Sequence, residues 1–86
     1  MSYSITIKKS AAKEMELLPQ KILTPVTEAI FSLAENPRPR GCKKLKGTKQ
    51  DYWRIRIGDY RVIYSIDDVI RIVDVNKVGH RRDIYE

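Results

Sequence analysis

Cysteine occurs once in this chain, at Cys42, and histidine once, at His80. Those two residues cannot build an internal disulfide or a multi-cysteine zinc site, and no carboxylate cluster stands at ligand spacing. Cys42 therefore reads as a passenger side chain rather than a nucleophile. Long apolar runs are missing as well. The stretch Val62-Ile63-Tyr64 and residues 68–74 (DVIRIVD) are interrupted by polar residues long before the roughly 20 that a bilayer span requires. The start, MSYSITIKKS, has neither the apolar segment nor the preceding positive charge of a secretory signal, so the expected address is cytoplasmic. A glycine-rich phosphate loop is also absent: Lys46-Gly47-Thr48 ends like one but lacks the earlier glycine and the preceding strand. Repeats, low-complexity segments and linkers are not seen, and Pro19 and Pro25 break any heptad. The expectation is one domain over residues 1–86, with no metal and no cofactor.

What the chain has in excess is positive charge, +6 at neutral pH, and it is unevenly spread. Residues 1–37 balance four lysines with four glutamates. Residues 38–61 hold nine basic groups (Arg38, Arg40, Lys43, Lys44, Lys46, Lys49, Arg54, Arg56, Arg61) against Asp51 and Asp59, a local balance of +7. A solvated basic loop is the plain explanation of such a run, and an anionic partner the functional one. Here the run continues into sheet-forming sequence, which favours the second.

The pattern predicts an α+β fold. Tyr3, Ile5 and Ile7 alternate with small polar residues, the period of a strand over 2–7 with one buried face. Ser10 reads as an N-cap for a short helix ending before Pro19. Ile22, Val26, Ala29, Ile30 and Leu33 then form the apolar stripe of a second helix, from near Gln20 to Asn36 with a bend at Pro25. A basic loop over 38–51 leads to three strands at 52–57, 60–66 and 69–76, separated by two-residue turns at Gly58-Asp59 and Asp67-Asp68. The result is a helical hairpin packed on one face of a four-stranded sheet, with a tail leaving the last strand at Gly79.

With two-residue turns the cross-strand partners can be written down. Ile57 faces Tyr60, Ile55 faces Val62 and Trp53 faces Tyr64, an apolar face that also takes Val73 and Val75. On the other face Arg56 stands opposite Arg61, with Asp74 beyond Arg61 and Arg54 beside Ile63. Directly opposed like charges cost about 0.2–1 kcal/mol, so folding alone gives no reason for them; a bound polyanion does. If the tail folds back over the sheet, Arg54, Arg56, Arg61, His80, Arg81 and Tyr85 converge.

Such a cluster suits cleavage of RNA by its own 2′-hydroxyl. That reaction needs a base for the hydroxyl, cations for the charge gathering on the phosphorane, and an acid for the 5′ oxygen. Arginine forks suit the phosphate, but arginine stays protonated above pH 12 and makes a poor base. Tyr85, whose phenolate neighbouring cations favour, and His80, which titrates near neutrality, are the proton-transfer candidates.

Three blocks carry a family resemblance: Lys43-Lys44-Leu45-Lys46-Gly47, then YWRIRIGDYRVIY over 52–64, then VGHRRDIY over 78–85. Together, and in this order, they resemble the RelE family within the RelE/ParE superfamily of toxins. The resemblance spans essentially the whole chain. It implies a compact α+β toxin that cleaves mRNA in the ribosomal A site, with mRNA and ribosomal RNA as partners. It also implies a RelB-like antitoxin wrapped around the toxin, in a complex that binds operator DNA through the antitoxin. Arg61 and Arg81 match phosphate-directed arginines of the family, and Tyr85 matches its tail tyrosine. Arg54 and Arg56 stand where the best-studied members carry lysines, so base duty shifts to Tyr85 or stays unassigned. Catalysis is thus assigned to Arg56, Arg61, Arg81 and Tyr85, and RNA contact to Lys43, Lys44, Lys46, Lys49, Arg54 and His80. The alternatives are a ParE-like inhibitor of DNA gyrase and a plain nucleic-acid-binding domain.

Overall fold

A computed structural model of the chain describes residues 2–45 and 51–84. Seven elements follow one another: β1 (Ser4–Ile7), α1 (Lys9–Glu16), α2 (Gln20–Ser32), β2 (Lys43–Leu45), β3 (Tyr52–Ile57), β4 (Tyr60–Asp67) and β5 (Ile72–His80). The strands form one sheet in the order β1-β5-β4-β3-β2, with β1 parallel to β5 and the other neighbours antiparallel. α1 lies along β5, and α2 crosses β3 and β4. The α+β class and the covered face are as the sequence predicts, but the sheet has five strands rather than four. The added strand, β2, lies within the segment expected to be loop and pairs with Tyr52–Arg54 of β3.

The core lies between helices and sheet. Ala11, Val26, Ile30 and Leu33 from the helical side meet Ile55, Val62, Tyr64, Val73, Val75 and Val78 from the strands, all buried. Burying an aliphatic side chain of this size stabilises by about 1.5–3 kcal/mol, so these few residues supply most of the drive for a small domain. The Tyr64 hydroxyl is satisfied inside the core by donating to the Pro37 carbonyl at 2.7 Å, and burial pushes its pKa up. Outside the core, Arg38 ties the segment after α2 to the β4–β5 turn. Its guanidinium donates to both carboxylate oxygens of Asp68 (3.2 and 2.8 Å) and lies 5.1 Å from the Trp53 ring centre, while the Tyr3 hydroxyl donates to Asp68 at 2.7 Å. These two donors hold the Asp68 pKa down to about 2.

α1 begins at Lys9 rather than after a Ser10 cap. Lys8 donates its amide to the Val75 carbonyl at 3.0 Å, so the chain passes from sheet to helix with no side-chain cap. α2 begins at Gln20 and runs through Pro25, as expected, but ends at Ser32 rather than at Asn36.

The first hairpin keeps the predicted register, including Arg56 opposite Arg61. Gly58 takes φ +58 at the first turn position, a conformation glycine adopts without a steric penalty. The second hairpin departs from expectation. Asp67 Oδ1 accepts from the amides of Val69 (3.0 Å) and Ile70 (3.1 Å), and Arg71 takes φ 59, so four residues turn the chain and β5 starts at Ile72. Val69 and Ile70, β-branched residues that the sequence pattern assigns to the strand, are left exposed. Asp74 consequently lies opposite Ser65, not beside Arg61. A bulge follows: Ile63 pairs with Lys77 but Tyr64 with Val75, which makes Asn76 the inserted residue.

Candidate nucleic-acid interface

Residues paired across a ladder point to the same side of a sheet, so the register defines the surface facing away from the helices. One row crosses four strands: Lys43, Arg54, Ile63, Lys77. The next row holds Arg56, Arg61 and Gly79. Five cations therefore share one face. Arg54 and Arg61 are buried within it, whereas Arg56 is exposed. A buried guanidinium must be held by hydrogen bonds, and Arg61 Nη1 donates to the carbonyls of Gly58 and Tyr60, both at 3.2 Å.

The tail does fold back. Asp83 donates its amide to the His80 carbonyl (2.8 Å) and Arg82 its amide to His80 Nδ1 (3.1 Å), which closes a turn directly after β5. Ile84 becomes buried, with its Cδ1 only 3.4 Å from where a Cβ on Gly79 would stand. Because Gly79 pairs with Arg61, the tail returns over the cationic face. Arg81 is pinned to the β3–β4 turn: its amide donates to the Asp59 carbonyl at 2.7 Å, and its Nε lies 3.8 Å from Asp59 Oδ1. Arg61 and Arg81 are thus anchored to the same turn, Gly58 to Tyr60.

Other predicted residues lie elsewhere. Lys44 pairs with Trp53 on the helix side and lies 3.5 Å from Asp51. His80 pairs with Tyr60, the two rings meeting edge to face at 5.3 Å between centres, again on the helix side. Neither joins the arginines. Lys46, Lys49 and Tyr85 lie outside the described residues. Lys77 is a cation of the open face that the sequence reading missed, because its facing depends on the bulge at Asn76. Among the described residues, no group of three or more histidine, cysteine or acidic side chains could hold a metal ion.

The far end of the same face has the opposite character. Thr6, Asp51, Ser65, Asp67 and Asp74, with Ile66, Ile70 and Ile72, line a groove of about 540 Å³. Thr6 Oγ1 donates to Asp74 Oδ1 at 2.8 Å there, and Lys8 reaches Asp74 Oδ2 at 3.9 Å. An anion meets attraction at the Arg61 end and repulsion at the Asp74 end.

Comparison with known proteins gives this surface a context. Residues 5–85 match the family described as the ParE toxin of the type II toxin–antitoxin system parDE. The chain is 34% identical over 84 residues to Toxin RelE of Mycobacterium tuberculosis, covering 96% of this chain and 86% of that protein. Its fold matches the toxin–antitoxin complex RelBE2 of the same organism, with a TM-score of 0.83 at 32% identity over 94% of this chain and 100% of that one. It also matches the archaeal RelE-RelB complex from Pyrococcus horikoshii OT3, with a TM-score of 0.82 at 34% identity, covering 94% and 97% of the two chains. The chain belongs to the RelE/ParE family of toxins from type II toxin–antitoxin systems.

Proposed function

We propose that this toxin is a ribosome-dependent mRNA endonuclease that works in the cytoplasm and cuts mRNA in the A site by attack of a 2′-hydroxyl on the adjacent phosphodiester. The observation that carries this reading is the joint anchoring of Arg61 and Arg81 to the β3–β4 turn, beside a row of cations on the open face. Attack on phosphorus gathers negative charge on the non-bridging oxygens. The Arg61 guanidinium, held beforehand by two backbone carbonyls, stabilises that charge with little reorganisation, and the Arg81 backbone is fixed at the same turn. In this reading Arg61 and Arg81 hold the scissile phosphate, Arg56 reinforces them, and Lys43, Arg54 and Lys77 guide the flanking backbone. Arginine cannot accept the hydroxyl proton at neutral pH, so the base is assigned to Tyr85. The solved relatives named as complexes with RelB support a RelB-like antitoxin as the silencing partner. Operator binding then belongs to that complex, through the antitoxin.

The family match is described by its ParE members, which keeps gyrase inhibition as the second reading. One experiment separates the two. Purified toxin is added to a cell-free translation reaction, mRNA ends are mapped by primer extension, and gyrase supercoiling is assayed in parallel. Cuts that require ribosomes are the expected result. Inhibited supercoiling without cuts supports the gyrase reading, and neither effect leaves only nucleic-acid binding.

A further inference from the structure

β1 ends at Ile7 opposite Val75, so among the described residues no strand lies beside the last five residues of β5 on that edge. An amide pointing off such an edge needs another partner. The Val78 amide finds it in a side chain: Glu14 Oε1, on α1, accepts from it at 3.0 Å in a partly buried contact. The bond falls two residues past the bulge at Asn76 and immediately before Gly79. A strand is prone to slip next to a bulge, and a slip of one residue exchanges its two faces. Val78 would leave the core, and Gly79 would no longer lie beneath Ile84.

We propose that Glu14 is a positioning residue: its carboxylate fixes the register of β5 after the bulge and so sets the 79–84 turn, with Arg81, against Asp59 beside Arg61. The role rests on the reading of this face as the RNA-cleaving site. It also has a purely structural consequence that needs no activity. Glu14→Ala should lower the single-turnover cleavage rate by about 10–100-fold while leaving ribosome affinity within about 2-fold, as expected when cations are misplaced rather than lost. Glu14→Gln keeps an acceptor oxygen and should stay within about 3-fold of wild type. Ile30→Val, a core change on α2 that leaves the Glu14 contact intact, serves as a control of reduced stability and should cleave normally.

Amide chemical shifts of Val78, Gly79 and Arg81, read by NMR on the free toxin, provide the second measurement. All three should move in Glu14→Ala and return in Glu14→Gln. If Glu14→Ala does not fold, Glu14→Asp, which keeps the charge and shortens the reach, is read in its place. Unmoved Gly79 and Arg81 shifts overturn the inference, as does a cleavage loss no greater than that of Ile30→Val or an equal loss in Glu14→Gln. A wild-type protein that cuts nothing overturns the nuclease reading instead, and the shifts still decide what Glu14 holds.

Discussion

Arg61→Ala tests the proposed site and the fold together, because in that proposal the guanidinium serves both. Its Nη1 donates to the Gly58 and Tyr60 carbonyls, and the residue is only 9% exposed. Losing charged donors of this kind costs about 1.5–3 kcal/mol. Removing a charge directly opposite Arg56 returns about 0.2–1 kcal/mol. The net loss is then about 0.5–3 kcal/mol, which for a domain of this size lowers the melting temperature by about 2–22 °C. The effect on cleavage should be far larger, since deleting one fixed donor to a developing oxyanion costs about 10²–10³ in rate. Growth arrest at matched expression, primer extension in a translating extract, and a circular-dichroism melt measure the three quantities. Arg61→Lys keeps the charge without the fork. It should melt closer to wild type than Arg61→Ala and still lose most of the activity. A folded Arg61→Ala that cuts within about 3-fold of wild type refutes the placement of Arg61 on the phosphate.

Three further outcomes follow from the geometry. Arg81 is exposed and its ion pair with Asp59 is long, so Arg81→Ala should leave the melting temperature within a few degrees while removing cleavage; a normal rate excludes Arg81 from the site. At Gly79, alanine fits beside Ile84 and should be neutral or slightly stabilising in a denaturant titration. Valine should displace the tail and reduce cleavage, and an active Gly79→Val shows the tail position to be irrelevant. Asp68, with its carboxyl held down to about 2, contributes stability that is complete above pH 4 and lost as the pH falls toward 2. Melts of wild type and Asp68→Asn should therefore differ at pH 6 and converge near pH 2, and a gap that widens in acid contradicts the Arg38 clamp.

The parts of this molecule legible in its sequence are those fixed by short-range chemistry. A glycine at the first position of a two-residue turn sets the β3–β4 register, and that register places Arg54, Arg56 and Arg61 on one face and Ile55, Val62 and Tyr64 on the other. The β4–β5 turn misleads because Val69 and Ile70 have strand-forming side chains, while a single Asp67 carboxylate takes both of their amides and turns the chain there. β2 is only three residues long and two of them are lysines, so no alternation marks it. His80 and Lys77 are read on the wrong side or not at all because a one-residue bulge, invisible in local pattern, reverses facing along the end of β5. The Glu14 contact joins residues 64 apart in the chain and leaves no trace in spacing.

Under the proposed function, that bulge also accounts for how a protein of this charge would orient an anion rather than merely attract one. If Asn76 paired regularly opposite Ile63 instead of bulging, Lys77 would fall opposite Val62 and turn into the core, while Val78 would face solvent. The insertion puts Lys77 in the Arg54 row and Val78 against the helices. On the same face, Ser65 and Asp74 form a row two residues from Ile63 and four from Arg61 along β4. At the rise of a strand these separations are about 7 and 13 Å. A net charge of +6 draws nucleic acid from any direction, but screening in physiological salt limits each charge to a reach of about 8 Å. Within that reach a phosphate near the Arg54 row feels both attraction from the arginines and repulsion from Asp74, whereas one at Arg61 and Arg81 lies beyond the acidic row. In the proposed function the favoured phosphate position is therefore at the β3–β4 turn, where the tail also returns, and the acidic groove would oppose sliding of the flanking backbone along the sheet.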